Sequence, residues 1–357
     1  MNIPYRTQRM LKRVGTVLMA VLVVGVAAWL CWVVWLQRYV VYTSDGAELD
    51  FEQSANDVMG ERAEKPVAQE NISIFYNEGA DAIDTSNELK SLSGYYITSD
   101  MFKNDLENVL LQIERLPAGT AVMIEMKGPY GSFYYPSQLS DATISASTNV
   151  ETVKDLVSKL QTKGFYTIAQ VSAFRDREFG DKNVTCGLYM LSRAGLWMDQ
   201  GGMYWLDPTN ASTTSWISSV VLELRGMGFN EVLLSNFCFP TSDQYIFNGD
   251  KTAALESAAK TLISTCAASD FVLSFETNDP TFPLPEGRCR MYLSNVDATT
   301  ISQKVSQVTF DDPEVRLVFL CETGDTRFDE YSVLRSLNVA EEVEGRKAGC
   351  PTGGMIP

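Results

Sequence analysis

Residues 166–176 read YTIAQVSAFRD, and residues 205–240 read WLDPTNASTTSWISSVVLELRGMGFNEVLLSNFCFP. The first stretch is an almost unbroken apolar run, the pattern of a parallel strand buried on both faces. In the second, Trp216, Ile217, Val220, Val221 and Leu224 recur at helical spacing. That stripe stops near Gly228, and Glu231–Phe237 is again an apolar run. Strand, helix and strand in this order make a βαβ unit, whose two strands run parallel.

The same alternation extends in both directions. Strand-like runs are Gly94–Thr98, Ala121–Lys127, Tyr166–Phe174, Glu231–Phe237, Phe271–Thr277, Arg290–Val296 and Val315–Cys321. Phe102, Leu106, Val109, Leu110 and Ile113 form one helical stripe, and Val150, Val153, Leu156, Val157 and Leu160 another. Thr148 and Glu151 have the spacing of a capping box, and Gly164 marks the end of that helix. Seven strands with intervening helices point to an α/β protein, either a TIM-like (β/α)8 barrel or a doubly wound sheet. No G-x-G-x-x-G follows the first strand and no phosphate-loop sequence occurs, so nucleotide-binding sheets lose weight. No eighth strand is evident after residues 333–337, which leaves barrel closure to a degenerate strand or to an N-terminal hairpin.

The charge is uneven along the chain. Twenty-nine Lys and Arg against 45 Asp and Glu give a net charge of −16, which argues against nucleic acid as a partner. Yet residues 1–38 carry Arg6, Arg9, Lys12, Arg13 and Arg38 and no acid. Between the basic clusters, Val14–Leu36 is uncharged, and its 23 residues make ~34 Å of helix. Trp29, Trp32, Trp35 and Tyr39 gather toward its outer end, as interfacial aromatics do. A cleaved signal peptide is the rival reading, but Ala27-Ala28 is followed by further apolar sequence rather than a mature polar start.

The expected layout is therefore a cytoplasmic basic terminus (1–13), a transmembrane anchor (14–36) and a β-hairpin stalk and linker (38–90). A barrel (91–340) and a loose tail (341–357) follow. The body would lie outside the cell membrane, on its extracellular side. In the stalk, RYVVYTSDGAELDF reads as a hairpin with Gly46 in the turn, and Ile72–Tyr76 as a further strand. Histidine is absent, which removes Ser-His-Asp and Cys-His catalysis and His-ligated zinc. The cysteines show no C-x-x-C spacing. A disulfide or two is left open, with Cys238 and Cys321 read as buried apolar residues. No cofactor or metal is indicated.

Two motifs go beyond a generic barrel: WLDP at 205–208, and GF-x-E-x7-FP at 228–240. Together with AVMIEMKGPYGSFYYPS at 121–137, they resemble a bacterial domain family of unknown function regarded as glycoside hydrolases with a TIM-barrel fold. The likeness runs from about residue 92 to 318. It implies carbohydrate as the partner and carboxylates as the chemistry. Glu125 falls on a family Asp ending the second strand, and Glu276 on a family Asp ending the fifth. Three charged family positions are neutral here: an Asp falls on Ser235, and two Arg fall on Cys238 and Gln170. Joint loss of an acid and two arginines looks like removal of a paired cluster, since a lone survivor would be a costly unpaired charge. The resemblance thus implies a degenerate site on a barrel that cleaves or only binds a cell-envelope glycan; the alternative is a catalytically inactive envelope structural or interaction protein whose cleft is filled.

Glycoside hydrolysis usually takes two carboxyl groups, one acid and one base or nucleophile. Glu125 and Glu276 are the candidate pair, with Glu322 a third acid after the seventh strand. Glu125 is otherwise a rim partner for Lys127 or Arg175. Tyr130, Phe133, Tyr134 and Tyr135 after the second strand, and Trp197, Tyr204 and Trp205 after the third, either stack on sugars or pack their own loops. Lys127, Arg175, Asp176, Ser235, Asn236 and Tyr292 complete the expected contacts. Asp176 and Asp207 also read as helix caps or loop anchors, because their sequences initiate turns.

Overall fold

The computed structural model describes residues 40–43, 46–49 and 89–347, besides Gly25 and Trp29. The expected anchor and the expected strand at 72–76 fall otherwise outside the described residues. Among the described residues no helix is long and apolar enough to cross a membrane. The stalk hairpin is present by itself as β1 (Val40–Thr43) and β2 (Gly46–Leu49), paired antiparallel. Gly46 opens β2 opposite Thr43 rather than sitting in the turn.

The second unit is a closed barrel. Its eight parallel strands are β3 (Ser93–Ile97), β4 (Ala121–Lys127), β7 (Tyr166–Ser172), β8 (Glu231–Ser235), β9 (Val272–Glu276), β10 (Met291–Ser294), β11 (Leu317–Cys321) and β12 (Ser332–Ser336). Two short strands, β5 (Ser132–Phe133) and β6 (Thr143–Ile144), follow β4 as an excursion at its end. Closure comes from β12, which pairs with β3 from Val333↔Ser93 to Ser336↔Tyr96. The eighth strand that the sequence left without a place is therefore Ser332–Ser336, and the N-terminal hairpin stays a separate two-stranded sheet. At the β3–β4 seam, a Cβ on Gly94 would stand 1.8 Å from the Ala121 carbonyl oxygen, so only glycine fits there.

Most helices lie where the stripes place them. Residues 150–162 are helical, but Asn149 is the cap, accepting from the Thr152 N–H, and the Thr148–Glu151 box is not used. The stripe from Phe102 to Ile113 is split into Ser99–Asn104 and Leu106–Arg115, broken at Asp105. The first part of the expected tail is ordered, and residues 348–357 lie outside the described residues. Ala340–Lys347 is a helix whose Val343 is buried, and Tyr95 Oη donates to Glu344 at 2.8 Å.

Alternation along the strands separates two cores. Outward-facing residues such as Val122, Ile124, Val232, Leu234 and Phe319 pack against the helices. Inward-facing Met123, Ile168, Leu233, Tyr292, Val318 and Leu334 fill the barrel. This is the packed interior of a (β/α)8 barrel rather than a pore.

Candidate carbohydrate site

Polar layers sit above and below that apolar plug. At the C-terminal strand ends, Glu125, Gln170, Ser235 and Glu276 close the inward-facing rows of β4, β7, β8 and β9. With Pro129, Asn236, Cys238 and Asn278 they line a cavity of about 270 Å³. Thus the two candidate carboxyls meet Gln170, Ser235 and Cys238 in one place. Asn236 adopts a left-handed backbone (φ 52°) just after β8, a conformation that asparagine tolerates better than most residues.

The two carboxyls are held differently. Glu125 Oε2 accepts the Ser99 backbone N–H at 2.8 Å, at the start of helix 99–104. Neither Lys127 nor Arg175 pairs with it: Lys127 goes to Asp176 and Arg175 to Asp199, each at 2.7 Å. Glu276 is mostly buried, and burial pushes its carboxyl above the usual carboxylate range, against the opposing effect of a Ser294 hydrogen bond. Beside it, burial and then the Glu276 charge push the Cys238 thiol up to about 11, so the thiol stays protonated. Cys238 is half-buried at the cavity wall rather than a core residue, whereas Cys321 is buried as expected. All five described cysteines are free.

Next to the cavity, and sharing Asn236, Cys238 and Asn278 with it, runs a groove of about 780 Å³. Arg175, Trp197 and Trp205 line it from the β7 side, and Phe239 and Gln244 from the β8 side. Asp199, which sequence reasoning missed, organises the near wall. Its carboxylate accepts from Arg175 Nε, Trp205 Nε1 and the backbone N–H groups of Gly201 and Met203. Burial alone would raise the Asp199 pKa, but these hydrogen bonds outweigh it and the group lies below its ordinary value. The D-Q-G-G turn at 199–202 was the available signal, since Asp commonly binds backbone N–H groups two residues on.

Several expected contacts lie elsewhere. Lys127 and Asp176 form a fully buried pair, with Lys127 Nζ also donating to the Ser172 carbonyl at 2.8 Å. The reason is a bulge in β4: Glu125 pairs with Gln170, but Lys127 pairs with Val171, which takes the lysine out of the cavity row. Asp176 also caps helix 177–182 through the Phe179 N–H. Asp207 accepts from the Thr209 N–H and hydroxyl as a loop anchor. Tyr135 is buried and donates to Glu223 on helix 211–226, carried there by the β5 excursion. Tyr292 is buried one layer below the cavity and donates to Glu231. Tyr134 is buried near Glu125, its hydroxyl within reach of Gly128, and Tyr130 is exposed on the loop. Glu322 is exposed after β11 and lines neither space. Among the described residues no group of three or more Cys, Asp and Glu side chains is placed to hold a metal ion.

The sequence profile of the family described as "Putative glycosyl hydrolase domain" matches residues 94–275. The chain belongs to this family. The match runs from β3 to β9; it contains Glu125 and ends one residue before Glu276. Among solved structures, the glycoside hydrolase domain of PgaB (BpsB) from Bordetella bronchiseptica is 11% identical, with a TM-score of 0.51 over 72% of this chain and 98% of that one. The α-galactosidase from Lactobacillus brevis is 9% identical, with a TM-score of 0.50 over 74% of this chain and 40% of that one. At such identities the likeness is one of fold: both share the barrel with this glycosyl hydrolase family member. A hypothetical protein from Ruminiclostridium thermocellum is 19% identical, with a TM-score of 0.45 over 51% of this chain and 96% of that one. No curated protein matches the chain.

Proposed function

We propose that this protein is a membrane-anchored barrel that binds a cell-envelope glycan outside the cytoplasm and no longer hydrolyses it. The observation that carries the reading is the composition of the 270 Å³ cavity. Two carboxyls face it from strand ends, where barrel enzymes place their chemistry, yet Ser235 occupies the position of the acid implied by the family pattern. Carboxylates, Gln170 and Asn236 can all bind sugar hydroxyls without ionising them. The basic N-terminus and the 23-residue uncharged stretch support the anchor. Glycan-array binding by the full chain in a sugar-free detergent, with hydrolysis scored on every hit, tests the reading. Binding without turnover is the expected result, and absence of any bound glycan defeats it. Protease added to intact spheroplasts should digest the barrel and spare the N-terminus; a protected barrel overturns the anchor.

A second reading rests on Glu276. A carboxyl held above its usual range by burial is poised as a general acid, and Glu125 would then be the base or nucleophile. Turnover of an array hit, lost by ~10²-fold or more in Glu276→Gln, would favour this reading over simple binding.

A further inference from the structure

The cavity alone is smaller than most ligand sites, which span ~300–1,000 Å³, whereas the adjoining groove falls inside that range. The groove is also built in advance. The segment from Gly187 to Leu206 folds back on itself through the bridges Tyr189↔Leu196 and Met198↔Tyr204. It is locked to the facing loop by Met190↔Tyr245 and by the Ile246 N–H donating to the Tyr189 carbonyl at 2.8 Å. Both walls are therefore fixed before any ligand arrives, which lowers the ordering cost of binding.

The indoles differ in one respect. Trp205 Nε1 donates to Asp199 and Trp216 Nε1 to Asp176. Trp197 is half-buried, rests against Tyr245 with ring centroids 5.5 Å apart, and lines the groove. Among the described residues no protein group accepts its indole N–H, and that nitrogen is open to solvent rather than buried. The two charges of the groove are paired with each other, Arg175 Nε with Asp199. Its remaining polar lining is amide and hydroxyl, from Gln200, Gln244, Asn278 and Thr241.

We infer that the groove is a second binding tract for the same ligand, and that this ligand is a neutral oligosaccharide chain rather than a single sugar. One sugar occupies the carboxyl cavity. The chain continues past Asn236 and Cys238, and a further sugar stacks on the face of Trp197, whose in-plane N–H is left for a hydroxyl of the neighbouring sugar. An acidic chain is disfavoured because its charge would face Glu125 and Glu276 with Lys127 and Arg175 both engaged. This inference rests on the glycan-binding reading above.

The test uses the full chain in a sugar-free detergent, titrated with cello-, manno- and chito-oligosaccharides of one to six units and with an oligogalacturonate ladder. For at least one neutral ladder, affinity should climb at least about tenfold from one unit to four. Trp197→Ala should flatten that ladder while leaving single-sugar binding within about twofold of wild type. Trp197→Phe keeps a ring and removes the N–H, so it should recover part of the length dependence. Length-independent binding overturns this inference and leaves the glycan reading standing. Binding confined to the acidic ladder overturns the neutral-chain assignment alone, whereas no binding on any ladder overturns both. Should Trp197→Ala fail to fold, an unchanged ladder in both Trp197→Phe and Gln244→Ala is the overturning result.

Discussion

The two ends of the barrel interior carry polar groups in opposite states. At the N-terminal end, Glu231 is saturated. One oxygen accepts from Ser274 and Tyr292 at 2.6 and 2.8 Å, and the other from Tyr166 and Arg290. Arg290 in turn donates to the Lys90 and Val315 carbonyls. At the C-terminal end, Glu125 holds one backbone N–H and Glu276 one hydroxyl, and the rest of their capacity faces a cavity. Both layers are polar, and only the second has bonds left to offer. Polar groups that complete one another inside a barrel serve stability, and those left incomplete are where a ligand can bind.

The sharpest way to break this comparison is at the saturated end. Arg290→Met leaves a buried carboxylate without its cation and should cost about 3–5 kcal/mol, read by chemical denaturation. A loss under ~1 kcal/mol would mean that the lower layer is not the fixed plug described. A similar loss is expected for Asp176→Asn, which strands buried Lys127 while its amide oxygen can still cap the helix.

The next effect is at the open end. Ser235→Asp adds a third carboxyl to a wall with no free cation, and should destabilise by ~1–3 kcal/mol. The triple change Ser235→Asp, Cys238→Arg and Gln170→Arg should recover part of that loss, because all three side chains line the same cavity. Equal melting temperatures for wild type and the single variant would refute a lost charge cluster.

The smallest effect concerns Glu276. Burial raises its folded pKa above the unfolded value, so ionisation favours the unfolded state as pH rises above the ordinary carboxylate range. Glu276→Gln removes that penalty. The variant should melt at or above wild type near neutral pH, and the gap should close as pH falls toward about 4.5. A variant less stable than wild type at neutral pH would place Glu276 among the saturated groups.

Much of the barrel was legible because strand burial leaves a local mark. Runs such as VLSF and VFLC need no distant partner to be recognised, and the stripe through Trp216 and Leu224 fixes which helix face turns inward. Strand-end placement of Glu125 and Glu276 followed from the same reading. Layer and partner were not legible. Tyr292 lies two residues before Ser294, on the same inward row, yet its hydroxyl is claimed by Glu231, 61 residues away. Lys127 lies two residues beyond Glu125 and would have shared its cavity but for the β4 bulge.

The amino-acid sequence by itself determined the alternation of strands and helices, the family, and the residue types gathered at the strand ends. These depend on periodicity and short motifs, which act within a few residues. Only the tertiary structure decided that residues 332–336 close the barrel, that Lys127 and Asp176 pair, and that Trp205 donates its N–H while Trp197 keeps its own. A hydrogen bond or ion pair is satisfied or left open by groups tens of residues away, and their meeting depends on strand register and on a single bulge.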